Sequence, residues 1–304
     1  MTKPQGVAGA EPTLYLKLVL VALFWGGTFI AGRAIAQSLP PITAAWGRFL
    51  VATALLVPVA IRLEGGLPRL SRAQVVLTAL LGLTGVFLYN FFFLRALAHI
   101  PAGRTALLVS LNPIVTALAA AVVFRERLGA WRWLGIAIAL CGAAIIITRG
   151  DLVATLHDIS RSIGVGELSM LMAVLSWAAY TLLGRKALES LSPIGATTYA
   201  ALWGLGFLTV GAMLEDGSIP WADLGWQVWA SIVYLGAFGT VVAFVWYYQG
   251  VRAIGPSRAA VFNNLVPAFG VILSFILLGE EILVSMVVGG VVTALGVSLA
   301  NRTK

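Results

Sequence analysis

Stretches of about twenty mainly apolar residues alternate along the chain with short interruptions rich in Pro, Gly, Ser and charge. A helix rises about 1.5 Å per residue, so each stretch matches the roughly 30 Å hydrocarbon core of a bilayer. The pattern predicts ten membrane-spanning helices, at 14–36, 42–61, 73–97, 105–124, 131–148, 166–188, 193–214, 224–251, 257–278 and 282–300. The longest connector, 149–165, falls between the fifth and the sixth, and no interval has room for a soluble domain.

The two groups of five share a text. LFWGGTFIAGRAIAQSLPPI, beginning at Leu23, aligns without a gap to LSWAAYTLLGRKALESLSPI, beginning at Leu175, so that Trp25 meets Trp177, Arg33 meets Arg185 and Pro41 meets Pro193. After a two-residue shift, Gly82 pairs with Gly236, Gly85 with Gly239, Arg104 with Arg258, Pro113 with Pro267, Glu126 with Glu280, Gly135 with Gly289 and Gly142 with Gly296. Matched Gly, Pro, Arg and Glu are not what chance apolar similarity aligns. The expected units are therefore 14–149 and 165–300, each of five helices. Ala34-Ile35-Ala36 imitates a signal-peptide cleavage site, but the repeat of that segment deep in the chain argues for a retained first helix.

An odd number of spans per copy makes the second copy enter the membrane from the opposite side. The loop charges agree: Arg62, Arg69 and Arg72 correspond to a loop with Glu215, Asp216 and Asp223, and Arg125, Arg127 and Arg132 correspond to Gly279, Glu280 and Glu281. The bias of Lys and Arg toward cytoplasmic loops puts both termini in the cytoplasm.

Composition sharpens this class. Of 304 residues 60% are hydrophobic and 11% charged, against about 25% charged in soluble domains. The expected fold is an all-α polytopic membrane protein of ten transmembrane helices in two inverted five-helix repeats. A net charge of +8 suggests polyanion binding, but the basic residues stand singly between apolar runs, so the expected partners are the bilayer and a small-molecule substrate, not nucleic acid. Cys141 is the one cysteine, and His99 and His157 are too few and scattered for a metal cluster. No metal or cofactor is expected, and the chain is expected to act as a monomer.

Inverted repeats give two related conformations around a site near the bilayer midplane, which is transport geometry. Its lining should hold the polar and aromatic residues of the spans. GVFLYNFFFLRAL in the third offers Tyr89, Asn90 and Phe93; GTVVAFVWYYQGV in the eighth offers Phe244, Trp246 and Tyr247. Such a lining suits a small amphipathic molecule, while some of its aromatics fit an interfacial belt equally well. Trp25 and Trp177, with Thr28, Ser176 and Tyr180 beside them, are expected at the central interface. Pro113 and Pro267 should kink the fourth and ninth helices, next to Ser110, Asn112, Asn263 and Asn264, which serve either the substrate or the freed backbone. Glu126 and Glu280, at helix ends, read as interhelical clamps. Arg48 has Ala200 as its counterpart; snorkelling, a helix-end pair and a hold on a substrate carboxylate are all open, with structural roles favoured. Gly135 with Gly142 and Gly289 with Gly296 mark helices that pack away from the site.

Trp25-Gly26, Arg48-Phe49, Pro113, Glu126-Arg127-Leu128, Gly135 and Gly142, echoed by Trp177, Pro193, Pro267, Gly279-Glu280, Gly289 and Gly296, resemble the EamA domain of the drug/metabolite transporter superfamily, present twice across essentially the whole chain. The second copy departs from the pattern at Ala200 and at Glu281. The resemblance implies ten helices in inverted halves, the bacterial inner membrane, and export of amino acids, other metabolites or drugs; the aromatic third and eighth spans are similar to amino-acid exporters of the YddG kind. Broad drug efflux is the competing reading, opposed by the lack of a mid-span carboxylate to bind a cationic drug. An ATP-driven pump lacks its phosphate loop. A membrane-embedded enzyme lacks a Ser-His pair, paired aspartates or a metal cluster, so the chain is not expected to be an enzyme. Transport is expected to be uncoupled, to be exchange, or to use an edge group such as Glu167.

Overall fold

In hydrocarbon a backbone must satisfy its own hydrogen bonds, which leaves the helix as the way for these segments to cross. The computed structural model describes residues 12–125, 128–151, 163–215 and 221–300, and among them there is no strand. Among the described residues nine helices are long and apolar enough to span: α1 (Pro12–Ala36), α2 (Pro41–Glu64), α3 (Arg72–His99), α4 (Ala102–Val123), α5 (Ala130–Ile147), α6 (Val165–Ala187), α7 (Pro193–Leu214), α8 (Trp226–Ile254) and α9 (Arg258–Leu278). A tenth, α10 (Val284–Ala300), is shorter. It begins two residues later than the apolar pattern predicts. Gly279 closes α9 in the left-handed region at φ 66°, and Glu280 then reaches to another helix, so the chain resumes helical geometry only at Val284.

The two halves are inverted copies. Equivalent helices run antiparallel: Gly135 of α5 lies against Gly296 and Ala300 of α10, while Gly142, two turns on, lies against Gly289 and Thr293. Backbone meets backbone along this seam, since a Cβ on Gly296 would stand 2.7 Å from the Gly135 carbonyl oxygen. Antiparallel order also holds for α2 and α7. Trp46 donates to Thr209 at 3.1 Å, the Glu215 carboxylate at the end of α7 accepts from Ile42 N (3.0 Å) and Thr43 N (2.8 Å) at the start of α2, and at the other end Ser192 donates to Glu64. Glu215 satisfies two backbone N–H groups that have no acceptor within their own helix, and Glu64 accepts from Ser192, whose hydroxyl oxygen in turn caps Gly195 N at the start of α7.

The halves are also interlocked. α1 packs on α8 and α9 of the second half, and α6 packs on α3 and α4 of the first. Exchanging the halves maps one set of contacts onto the other. The central interface is thus made by α1, α3, α6 and α8, with α5 and α10 forming a separate seam.

Two features interrupt the spans. α4 loosens at Ser110 and Leu111, where Ser110 N bonds back only to Leu107 O (3.1 Å) and Leu111 N to Leu108 O (3.1 Å), before Asn112-Pro113 restart the helix. α9 passes through a 3-10 turn, Phe262–Asn264, before Pro267. The second feature has no proline signal: Gly82–Leu88 in α3 and Ala237–Val242 in α8 are π-helical, at matching places in the two repeats. A glycine stands in close contact at the start of the first widened turn and immediately before the second. A Cβ on Gly82 would come 2.8 Å from the Ala200 carbonyl oxygen, and one on Gly236 2.8 Å from that of Arg48.

Candidate functional site

The π-helical turns decide what the centre of the molecule looks like. Wide turns leave carbonyls without the usual partner four residues on, and polar side chains take them. Asn90 Nδ2 donates to Val86 O (2.8 Å) and Gly85 O (3.4 Å); Thr240 Oγ1 donates to Leu235 O (2.9 Å). With their donors spent, both side chains offer oxygen to one cation. Arg48 Nη1 donates to Asn90 Oδ1 at 2.9 Å and Nη2 to Thr240 Oγ1 at 3.3 Å. Arg48 is 9% exposed and Asn90 1%, so a residue of α2 ties α3 of its own half to α8 of the other.

Two aromatic sets flank this network. Trp25 packs edge-on to Phe244 (5.7 Å between centroids) and against Tyr247 (5.4 Å), and its indole N–H donates to Gly239 O at 3.2 Å in the second π-turn. Trp177 packs against Tyr89 (5.0 Å) and Tyr180 (5.3 Å), and Tyr89 stacks on Phe93 at 5.7 Å. Among the described residues nothing accepts from the Trp177 indole, so the two tryptophans match in position but differ in bonding. Trp25, Tyr89, Trp177, Tyr180, Phe244 and Tyr247 are half-buried, while Phe93 is buried against Phe29 at 5.4 Å.

The remaining polar residues divide by partner. Thr28, Ser110 and Ser176 donate to carbonyls of their own helices, Trp25 O, Leu107 O and Met172 O. Asn263 Nδ2 donates to the Tyr247 hydroxyl at 3.4 Å, which joins it to the Trp25 set. Asn112 keeps a buried Oδ1 without a partner beside the break in α4. Two residues lie apart: Asn264 is exposed, and Trp246 packs on Phe24 (5.8 Å) with the Lys17 ammonium 5.9 Å over its ring. Glu280 accepts from Ala102 N (2.8 Å) and Gly103 N (2.9 Å) at the start of α4. Glu126, its repeat partner, lies outside the described residues.

Several working residues were not singled out by sequence pattern. Thr240 is one; its signal is a hydroxyl inside an apolar span, within the segment that supplies Phe244 and Tyr247. Glu215 and Glu64 are others, recognisable as acids closing the second helix of each repeat. Arg104 and Glu167 form an ion pair at 2.9 Å with both side chains buried, and Arg104 also donates to Ile147 O. This pair, the Glu215 and Glu280 caps, and Arg33 donating to Leu97 O and Ile100 O all lie at one end of the helices. Charge-assisted bonds tie helices together at that end. Arg258, the repeat partner of Arg104 at the opposite end, is exposed.

No group of three His, Cys, Asp or Glu able to hold a metal occurs among the described residues. Inverted, interlocked five-helix halves with a polar and aromatic centre define a membrane transporter of the ten-helix type. The EamA-like transporter family model matches residues 13–148 and again 164–302. The chain belongs to this family. It is similar to the uncharacterized transporter YyaM of Bacillus subtilis (31% identity over 95% of this chain and 93% of the relative). An uncharacterized transporter of Archaeoglobus fulgidus is also 31% identical, over 94% of this chain and 96% of its own length. A probable terminal-alkyne amino-acid exporter of Streptantibioticus cattleyicolor is 29% identical, over 94% and 92%. A solved crystal structure shares the fold with a TM-score of 0.63 at 19% identity, covering 96% of this chain and 97% of that one.

Proposed function

We propose that this transporter exports small amphipathic metabolites, amino acids first among them and aromatic ones included, by alternating access around the centre between its repeats. The observation that carries the reading is the pair of half-buried aromatic sets, Trp25 with Phe244 and Tyr247, and Trp177 with Tyr89 and Tyr180, contributed across the two-repeat interface. Aromatic faces take up an apolar or planar side chain, and the Trp177 indole N–H, which no described residue accepts from, offers a directed hydrogen bond. The relative named as an amino-acid exporter supports the same substrate class.

Orientation follows from the loop charges. With both termini in the cytoplasm of a bacterial inner membrane, the end closed by Arg104–Glu167 and the two glutamate caps is the external one, and this conformation is the one that loads from inside. Transport is uncoupled or exchange, since the acids of the described spans sit at helix ends and Glu167 is committed to Arg104. The working unit is a monomer.

Purified protein in liposomes, offered a panel of radiolabelled amino acids and of cationic dyes with and without an imposed pH gradient, tests this. Saturable amino-acid flux indifferent to the gradient is expected. Dye transport without amino-acid transport would establish drug efflux instead, and strong stimulation by the gradient would defeat the uncoupled mechanism.

A further inference from the structure

Arg48 is a charge in the middle of the fold with no counter-charge among the described residues. Its guanidinium is held by two neutral oxygens, Asn90 Oδ1 and Thr240 Oγ1, and its Nε is buried with no partner. It forms no ion pair with a described carboxylate. A buried, uncompensated cation is costly in a membrane protein, and such residues mark the path of a ligand or ion.

Helix packing does not require the guanidinium. Ala200 occupies the equivalent place in α7, and the two residues meet the π-turn glycines in the same way, the Ala200 carbonyl against Gly82 and the Arg48 carbonyl against Gly236. The scaffold is thus served equally by a methyl group. The charge comes with two polar partners that the other half also lacks, since Phe244 stands at the repeat position of Asn90 and Val86 at that of Thr240.

The surroundings aim that charge. Asn90 cannot turn its oxygen away, because its amide group is fixed by Val86 and Gly85 carbonyls; Thr240 has spent its proton on Leu235 O. Tyr89 directly precedes Asn90 in α3, and its ring touches Trp177. On the other side, Gly239 beside Thr240 accepts from Trp25. Arg48 therefore stands where the two aromatic sets converge.

We propose that Arg48 is the carboxylate-binding residue of the transport site: the α-carboxylate of an amino acid supplies its missing counter-charge, while the substrate side chain lies against Tyr89 and Trp177. Guanidinium N–H groups not taken by Asn90 and Thr240, Nε among them, receive the carboxylate oxygens in the paired geometry that arginine favours. Asn90 and Thr240 are positioning residues for Arg48. The inference rests on the amino-acid reading above and deepens it, because it makes the carboxylate the recognised group and excludes amides and simple amines.

Binding of phenylalanine and of phenylalaninamide to the purified full chain, followed by tryptophan fluorescence, tests it. The wild type should bind the acid at least about tenfold more tightly than the amide, as expected where a buried donor is left unpaired by the wrong ligand. Arg48→Gln should bring the ratio to about one. Asn90→Asp should do the same by giving Arg48 an internal carboxylate of nearly the same shape, which keeps the test alive if Arg48→Gln does not fold. A preference for the acid that survives in both variants would assign Arg48 to packing and leave the amino-acid reading standing, as would equal binding of acid and amide by the wild type. A wild type that binds cationic dyes but neither phenylalanine nor its amide would remove the amino-acid reading and this inference together.

Discussion

At the scale of single residues, the repeat places Trp25 and Trp177 alike and the structure then separates them. Trp25 donates to Gly239 O, while nothing described accepts from Trp177. Trp25→Phe should therefore lower stability by about 1 kcal/mol for the lost hydrogen bond, read as a drop in the thermal transition of the solubilised protein. Trp177→Phe should leave that transition nearly unchanged and reduce amino-acid flux. Both tryptophans were legible in the sequence as candidates, because a repeated Trp beside small residues is rare in an apolar helix. Their bonding was not, since the acceptor is a carbonyl in a helix more than two hundred positions away. Asn90 shows the same limit: a polar residue in a span announces itself, but that its donor is consumed by its own π-turn and its oxygen by Arg48 depends on a turn type that no residue spacing encodes.

At the scale of elements, the glycines of α5 and α10 read directly as a seam, for seven-residue spacing keeps them on one face. Contact at Gly135 and Gly296 is to backbone atoms, which have nowhere to move, while Gly142 and Gly289 also meet Thr293 Oγ1 and Ile146 Cγ1. Gly296→Ala should cost about 1–3 kcal/mol through overpacking. Gly184→Ala, at a helical position with nothing within 4 Å of the added carbon, should gain about 0.5–1 kcal/mol from helix propensity. Denaturation of the two variants in parallel measures the contrast; equal effects would mean the seam is looser than described. The breaks near Pro113 and Pro267 were legible because a missing N–H has a fixed consequence. The π-turns at Gly82–Leu88 and Ala237–Val242 were not, since they answer to the close approach of α7 and α2 rather than to any local propensity.

For the whole molecule, the Arg104–Glu167 pair joins the two halves at one end of the helices. Glu167→Gln leaves Arg104 buried beside a neutral group and should cost about 3–5 kcal/mol. Replacing both Arg104 and Glu167 by Met should cost less than the single change, because a well-packed apolar pair offsets the desolvation of two charges. Chemical denaturation of the three proteins checks the order, and a double variant worse than the single would show that Arg104 acts mainly through Ile147 O.

Span lengths, the internal repeat and the opposite charge of equivalent loops were enough to give ten helices, two halves and their inversion. Hydrocarbon forces each apolar segment into a helix, and the field at the membrane surface sorts the loop charges, so both are properties of local composition. Which polar atoms meet, in the middle and at the helix ends, was settled by the fold. The Arg48–Asn90–Thr240 network, the Arg104–Glu167 pair and the Glu215 and Glu280 caps join segments remote along the chain, and their partners are chosen by the packing of interlocked helices, where a buried donor must take whatever acceptor that packing brings within about 3 Å.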